Sequence, residues 1–276
     1  MKNVLSNSGL VIFDLDGTLY EGSEHFDYYA KHLMKKLSPV MYSSFYEEYE
    51  MMKAGNHVVQ IGKAYDVNRD CLLTIDPIKL TVIKVEEWTG TVWSEEQTNK
   101  TFPNEVIFDF ENIVALGDGW WLPFTLAKHY GIEDCYSSYL ATKEFMVTED
   151  FELKAIPGLR EWILQLQAEG KVTVLVTNSD KEDVLRLLKE LDLNDVFSHI
   201  VSSARKPSYT LEIFKHLIYQ YDVKEEMTVS IGDNFINEIA PALLLGMKGI
   251  YIHPHGTTDE TEASNLKVVR RITECF

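Results

Sequence analysis

The second half of the chain alternates short apolar runs with amphipathic stretches, and that rhythm leaves few folds open. VTVLVT (172–177) is apolar on both faces, as a strand covered by helices on either side must be. Before it, Pro157 reads as the first-turn proline of a helix with Leu159, Ile163 and Leu166 on one face and Gly170 at its stop. After it, Ser179 and Glu182 have the spacing of a capping box, ahead of a helix carrying Val184, Leu188 and Leu191. HIVSS from His199, TVSIG from Thr228 and GIYI from Gly249 read as further strands. Leu211, Phe214, Ile218 and Tyr221 stripe one intervening helix, and another runs through Ile239 and Leu243 to end near Gly246. Strand and helix repeating at this spacing predict an α/β chain: a doubly wound parallel sheet with helices on both faces.

The stretch VIFDLDGTLYEG (11–22) supplies one more strand, and it ends in two aspartates. Residues i and i+2 of an extended segment point the same way, and Gly17 lets the chain turn at once. Asp14 and Asp16 therefore stand beside one pocket. Two carboxylates that close raise each other's proton affinity unless a cation intervenes, so the pair calls for a metal. Residues 21–152 then break the rhythm. Phe26, Tyr29, Ala30, Leu33 and Leu37 form one helical stripe, Phe45, Tyr49 and Met52 a second, and residues 121–130 a third helix stopped by Gly131. A hairpin about Thr89 and Gly90 is the exception. The predicted organisation is an α/β core of residues 1–20 and 153–276, with a mostly helical domain of residues 21–152 inserted after the first strand.

The chain has 276 residues and 45% hydrophobic content, enough for such a core plus an insertion. Its 43 acidic against 26 basic residues give a formal net charge of -17, which repels phosphate backbones and anionic lipid. Nucleic acid and membrane are thus poor partners, and no apolar run reaches the roughly 20 residues of a membrane span. Three scattered cysteines and a polar N-terminal segment suggest reduced thiols in a cytoplasmic protein.

In a sheet of this kind ligands bind outside the carboxyl ends of the strands. Those ends deliver Asp14 and Asp16, then Thr177, Asn178 and Ser179, then Lys206, then Asp233 with Asn237 and Glu238 a turn later. Carboxylates with a backbone carbonyl suit Mg²⁺, a carboxylate can also accept a phosphoryl group, and hydroxyl, amide and ammonium donors suit the charge on that group. The ordered motifs DLDGT, TNS, RKPS and GDNFINE make the chain resemble the haloacid dehalogenase-like superfamily of hydrolases, with its Rossmann-like core and inserted cap.

The resemblance implies a Mg²⁺-dependent phosphatase acting on a small-molecule phosphomonoester. Asp14 would be the nucleophile and Asp16 the general acid and base. Thr177, Asn178 and Lys206 would bind the phosphate, and Asp14, the Asp16 carbonyl and Asp233 would hold the metal. Many relatives have aspartate where this chain has Glu238, whose longer arm either reaches the metal through water or positions Lys206. A phosphomutase shares these motifs, and a catalytically silent phosphate-binding protein is the alternative of another class. Residues 21–152 hold 23 acidic and 11 basic residues, with Arg69 the single arginine. That balance favours a monophosphate, of nucleotide or sugar type, over a polyphosphate.

Overall fold

The computed structural model describes residues 4–76, 79–109, 111–253 and 264–276. Strand β1, Leu10–Phe13, has all four side chains buried, as its unbroken apolar run requires. After the turn that carries Asp14 and Asp16, the two-residue strand β2, Tyr20–Glu21, leads out of the first of two units. That unit comprises Met1–Glu21 and Leu153–Phe276, and the second comprises Gly22–Glu152.

The inserted unit begins with helices α1, Glu24–Met34, and α2, Tyr42–Lys53. Strands β3 (Ala64–Asp66), β4 (Cys71–Ile75) and β5 (Val82–Glu87) follow. Then come α3 (Glu95–Thr101), β6 (Ile113–Ala115), α4 (Trp121–His129) and α5 (Tyr136–Phe145). Both predicted helical stripes face inward: Tyr29, Leu33, Phe45, Tyr49 and Met52 join Tyr65, Leu72, Leu116 and Leu126 in one buried cluster. The three helices read from the sequence are present as α1, α2 and α4, while α3, α5 and a four-stranded antiparallel sheet, ordered β5-β4-β3-β6, go beyond that reading. The expected hairpin about Gly90 is present but short: the Glu87 N–H donates to the Thr91 carbonyl at 2.8 Å, the Trp93 N–H to the Val85 carbonyl at 3.0 Å, and Glu86 bridges Val92. The main partner of β5 is β4.

The chain re-enters the first unit at β7, Lys154–Ala155, which pairs antiparallel with β2 so that Tyr20 faces Ala155. Helix α6 spans Leu159–Ala168 and β8 spans Val172–Val176. The helix starts after Gly158, which takes a positive φ of 81°, so Pro157 lies before the first turn and not within it. Helix α7, Lys181–Glu190, is capped by Asp180, whose carboxylate accepts from the Asp183 N–H at 3.0 Å. The expected cap, Ser179, is one residue too early, and its hydroxyl is engaged elsewhere. Strand β9 (His199–Val201), α8 (Thr210–Gln220) and β10 (Thr228–Gly232) follow. A π-helical turn, Phe235–Ile239, then runs directly into α9, Ala240–Leu244. Strands β11 (Lys248–Ile252) and β12 (Leu266–Val269) complete the unit.

The central sheet has the order β12-β11-β10-β1-β8-β9, with every neighbouring pair parallel. This is the doubly wound α/β fold predicted from the strand–helix rhythm. Leu10 and Ile12 pack with Val174, Val176, Phe214 and Leu217 in one buried cluster. From β1 the chain first builds β8 and β9 on one side, then crosses back to β10 on the other. The connections diverge between β1 and β10, and in such sheets this divergence opens a crevice beyond the carboxyl ends of the two strands. No helix among the described residues is long and apolar enough to cross a membrane.

Candidate active site

Asp14 directly follows β1. Its N–H donates to the Ile231 carbonyl at 2.9 Å, which extends the parallel ladder by one residue and fixes the start of the loop. Lys206, from the loop after β9, places its Nζ 2.6 Å from Asp14 Oδ1 and 2.6 Å from Glu238 Oε1. All three residues are buried. Burial pushes the Asp14 carboxyl above its usual range; Lys206 opposes that shift and Asp16 adds to it. Burial likewise pushes Glu238 up to about 8, against the pull of Lys206. Burial alone would lower the Lys206 ammonium, but the two carboxylates outweigh it and hold its pKa above the ordinary value. Lys206 is therefore a fixed positive charge shared by two buried carboxyl groups. Glu238 can approach because Gly232 has no side chain: a Cβ there would lie 3.0 Å from Glu238 Cγ and Cδ. Of the two readings open for Glu238, the geometry selects contact with Lys206.

Asp16 is gripped at both oxygens. The Tyr20 hydroxyl donates to Oδ1 at 2.5 Å and the Ser179 hydroxyl to Oδ2 at 2.9 Å. Asp233 follows β10, and its carboxylate lies against Gly17. A Cβ at Gly17 would fall 2.1 Å from Asp233 Oδ2, and Gly17 also has a φ of 75°. The loop bearing Asp14 and Asp16 thus leaves a cradle that this carboxylate fills. Among the described residues no three His, Cys, Asp or Glu side chains gather as a metal site. A donor set of two carboxylates and the Asp16 carbonyl suits a hard cation that keeps several waters, and Mg²⁺ is of that kind. Gly17→Ala is expected to lose about 1–2 kcal/mol from the left-handed backbone alone. It should also push Asp233 aside, so thermal unfolding should show a lower midpoint and less stabilisation by added Mg²⁺ than the wild type.

Thr177 is buried at the end of β8. Its N–H donates to the Val201 carbonyl at 2.9 Å, and its Oγ1 accepts from the Ser179 N–H at 3.1 Å. The hydroxyl proton remains available to an anion in the crevice. Asn178 is differently occupied. Its Oδ1 accepts from the Lys206 N–H at 2.6 Å and its Nδ2 donates to the Lys206 carbonyl at 3.1 Å. The amide holds the Lys206 backbone from 28 residues away and keeps a single Nδ2 proton for any other partner. The Asn234 side chain accepts from the N–H groups of Ile236 and Asn237, which starts the π-helical turn that presents Glu238.

The structure therefore joins Asp14, Lys206 and Glu238 in direct contact, ties Asn178 to Lys206 and Ser179 to Asp16, and sets Asp233 against Gly17. The sequence reading missed Tyr20 and the role of Ser179. A second capping residue, Asp180, stands beside Ser179 and was the available signal that the serine hydroxyl is spare.

Residues 9–246 match the haloacid dehalogenase-like hydrolase family, and the chain belongs to it. Among curated relatives, a glyceraldehyde 3-phosphate phosphatase of Pyrococcus furiosus is 30% identical over 103 residues, covering 36% of this chain and 42% of the relative. A ribulose-1,5-bisphosphate 5-phosphatase of Halopiger xanaduensis is 24% identical over 162 residues, covering 57% and 56%. The matched stretch thus spans about half the length of these relatives. Among solved structures, the HAD-hydrolase YfnB from Bacillus subtilis, bound to magnesium, shares the fold with a TM-score of 0.53 and 17% identity, covering 98% of this chain and 97% of that one.

Proposed function

We propose that this chain is a Mg²⁺-dependent phosphatase that hydrolyses small phosphomonoesters through a phosphorylated Asp14. The observation that carries the reading is the buried Lys206 ammonium, 2.6 Å from Asp14 at the crevice between β1 and β10. A carboxylate can attack an anionic phosphoryl group only where positive charge offsets the repulsion, and Lys206 is fixed where it does so. Asp14 bonds to phosphorus as the ester P–O bond breaks. The Thr177 hydroxyl donates to an outer phosphoryl oxygen. Asp16 gives its proton to the leaving oxygen, then takes one from the water that hydrolyses the acyl phosphate. Asp14, the Asp16 carbonyl and Asp233 would hold Mg²⁺, which when bound adds positive charge beside the phosphoryl oxygens.

The inserted unit serves in this reading as the cap that selects the substrate. Its excess of 23 acidic over 11 basic residues disfavours substrates carrying several phosphates. The relatives named above act by name on glyceraldehyde 3-phosphate and ribulose 1,5-bisphosphate, which favours the sugar-phosphate class over nucleotides. A panel of sugar phosphates and nucleoside monophosphates, assayed for inorganic phosphate with and without Mg²⁺, tests the reading. Phosphate release from at least one monoester, abolished by chelation, is the expected result. An isomerised sugar phosphate without free phosphate would instead identify a mutase, and no turnover of any ester would leave a binding protein.

A further inference from the structure

Asp16 has no slack in this site. One hydroxyl holds each carboxylate oxygen, and the two hydroxyls come from different places. Tyr20 is in β2, the strand through which the chain leaves the first unit, and is paired there with Ala155 of the returning strand. Ser179 lies past β8, and the helix that follows is capped by Asp180, so the serine hydroxyl is not needed by the helix. The two bonds are unequal. Tyr20 approaches Oδ1 at 2.5 Å, in the range of a charge-assisted O–H···O⁻ bond, while Ser179 stands 2.9 Å from Oδ2.

We propose that Tyr20 and Ser179 are positioning residues for Asp16, with Tyr20 locking Oδ1 as a permanent acceptor so that Oδ2 is the oxygen that carries the catalytic proton. The inference rests on the phosphatase reading and adds to it the atom that moves the proton. In the first half-reaction the P–O bond to the leaving group breaks, the bond from Asp14 to phosphorus forms, and the proton on Oδ2 passes to the leaving oxygen. In the second, water bonds to phosphorus, the Asp14–phosphorus bond breaks, and a proton from water returns to Oδ2. Ser179 suits the oxygen that cycles, because a serine hydroxyl donates to the bare carboxylate and turns to accept, or yields, when Oδ2 is protonated. Tyr20 is buried, so water does not readily replace its hydroxyl.

A positioned general acid matters most when the leaving group is a poor one. The test is Tyr20→Phe and Ser179→Ala, each assayed on phenyl phosphate and 4-nitrophenyl phosphate, with unfolding curves as the control for folding. Tyr20→Phe should lose about tenfold more kcat/KM on phenyl phosphate than on the nitrophenyl ester, a fraction of the 10²–10⁴ that general acid catalysis supplies. Ser179→Ala should shift the same ratio by a smaller factor. Equal losses on both esters, or no loss, in a wild type that cleaves both would overturn the inference and leave the phosphatase reading intact. A wild type that releases phosphate, with Mg²⁺ present, from neither ester and from none of the sugar phosphates and nucleoside monophosphates above contradicts the phosphatase reading itself.

Discussion

Asp14→Asn should fold and be catalytically dead. The amide cannot attack phosphorus, and removing a nucleophile costs about 10⁴-fold or more in kcat. The fold survives because Lys206 keeps its second carboxyl partner, Glu238, at 2.6 Å. The substitution also removes one of two buried carboxylates that share one ammonium, which relieves part of the burial penalty that pushes Asp14 up. Phosphate release under saturating Mg²⁺, beside an unfolding curve of the same preparation, separates the two effects. A variant that unfolds at ordinary temperature would mean that the Asp14–Lys206 contact is chiefly structural. A variant that retains turnover within tenfold of the wild type would remove Asp14 from the chemistry.

The second large effect is on stability. Lys206→Met removes the one cation among the three buried groups and leaves Asp14 and Glu238 facing each other. Breaking a buried pair by deleting one partner costs about 3–5 kcal/mol. Adding Glu238→Gln should recover part of that loss, since the remaining carboxylate no longer has an anionic neighbour. The deficit also has a sign in pH. Without Lys206, burial and mutual repulsion raise both carboxyl groups in the folded state above their unfolded values, so the folded state binds more protons. Stability relative to the wild type should therefore fall as pH rises through that window and recover as the carboxylates are protonated. Urea unfolding of the single and double variants at neutral and alkaline pH measures this, because Glu238 already stands at about 8 with Lys206 present. A deficit that is the same at both, and not eased by Glu238→Gln, would mean that Lys206 acts through packing of its stem and not through its charge.

The catalytic unit was legible because its signals are local and repeated. Each strand is an apolar run that must be buried, and each helix shows its stripe. The doubly wound rule then brings Asp14, Thr177, Lys206 and Asp233 to one end of the sheet, although they lie far apart in sequence. What the sequence could not resolve were choices between neighbours. Ser179 and Asp180 are both good caps, and the backbone geometry that gives the cap to Asp180 is not written in either residue type. Asn178 looks like a phosphate donor in TNS, but its amide is matched to the backbone of Lys206, a pairing with no local pattern. The sheet of the inserted unit escaped for a different reason. Strands β3 and β6 are three residues long, too short to establish a period, and in β3 Ala64–Asp66 is buried at every position, so it lacks the alternation by which half-buried strands are read. Helices α1 and α2, with Phe26, Tyr29, Leu33, Phe45 and Tyr49 at helical spacing, were plain.

The most direct test of Asp14 as the phosphoryl acceptor is a crystal structure of the full chain grown with Mg²⁺ and beryllium fluoride, a mimic of a phosphorylated carboxylate. The expected density has beryllium joined to an oxygen of Asp14, Lys206 beside it, and Mg²⁺ bound by Asp14, the Asp16 carbonyl and Asp233. Fluoride density elsewhere on the molecule, or a metal bound in the crevice without contact to Asp14, would contradict the account.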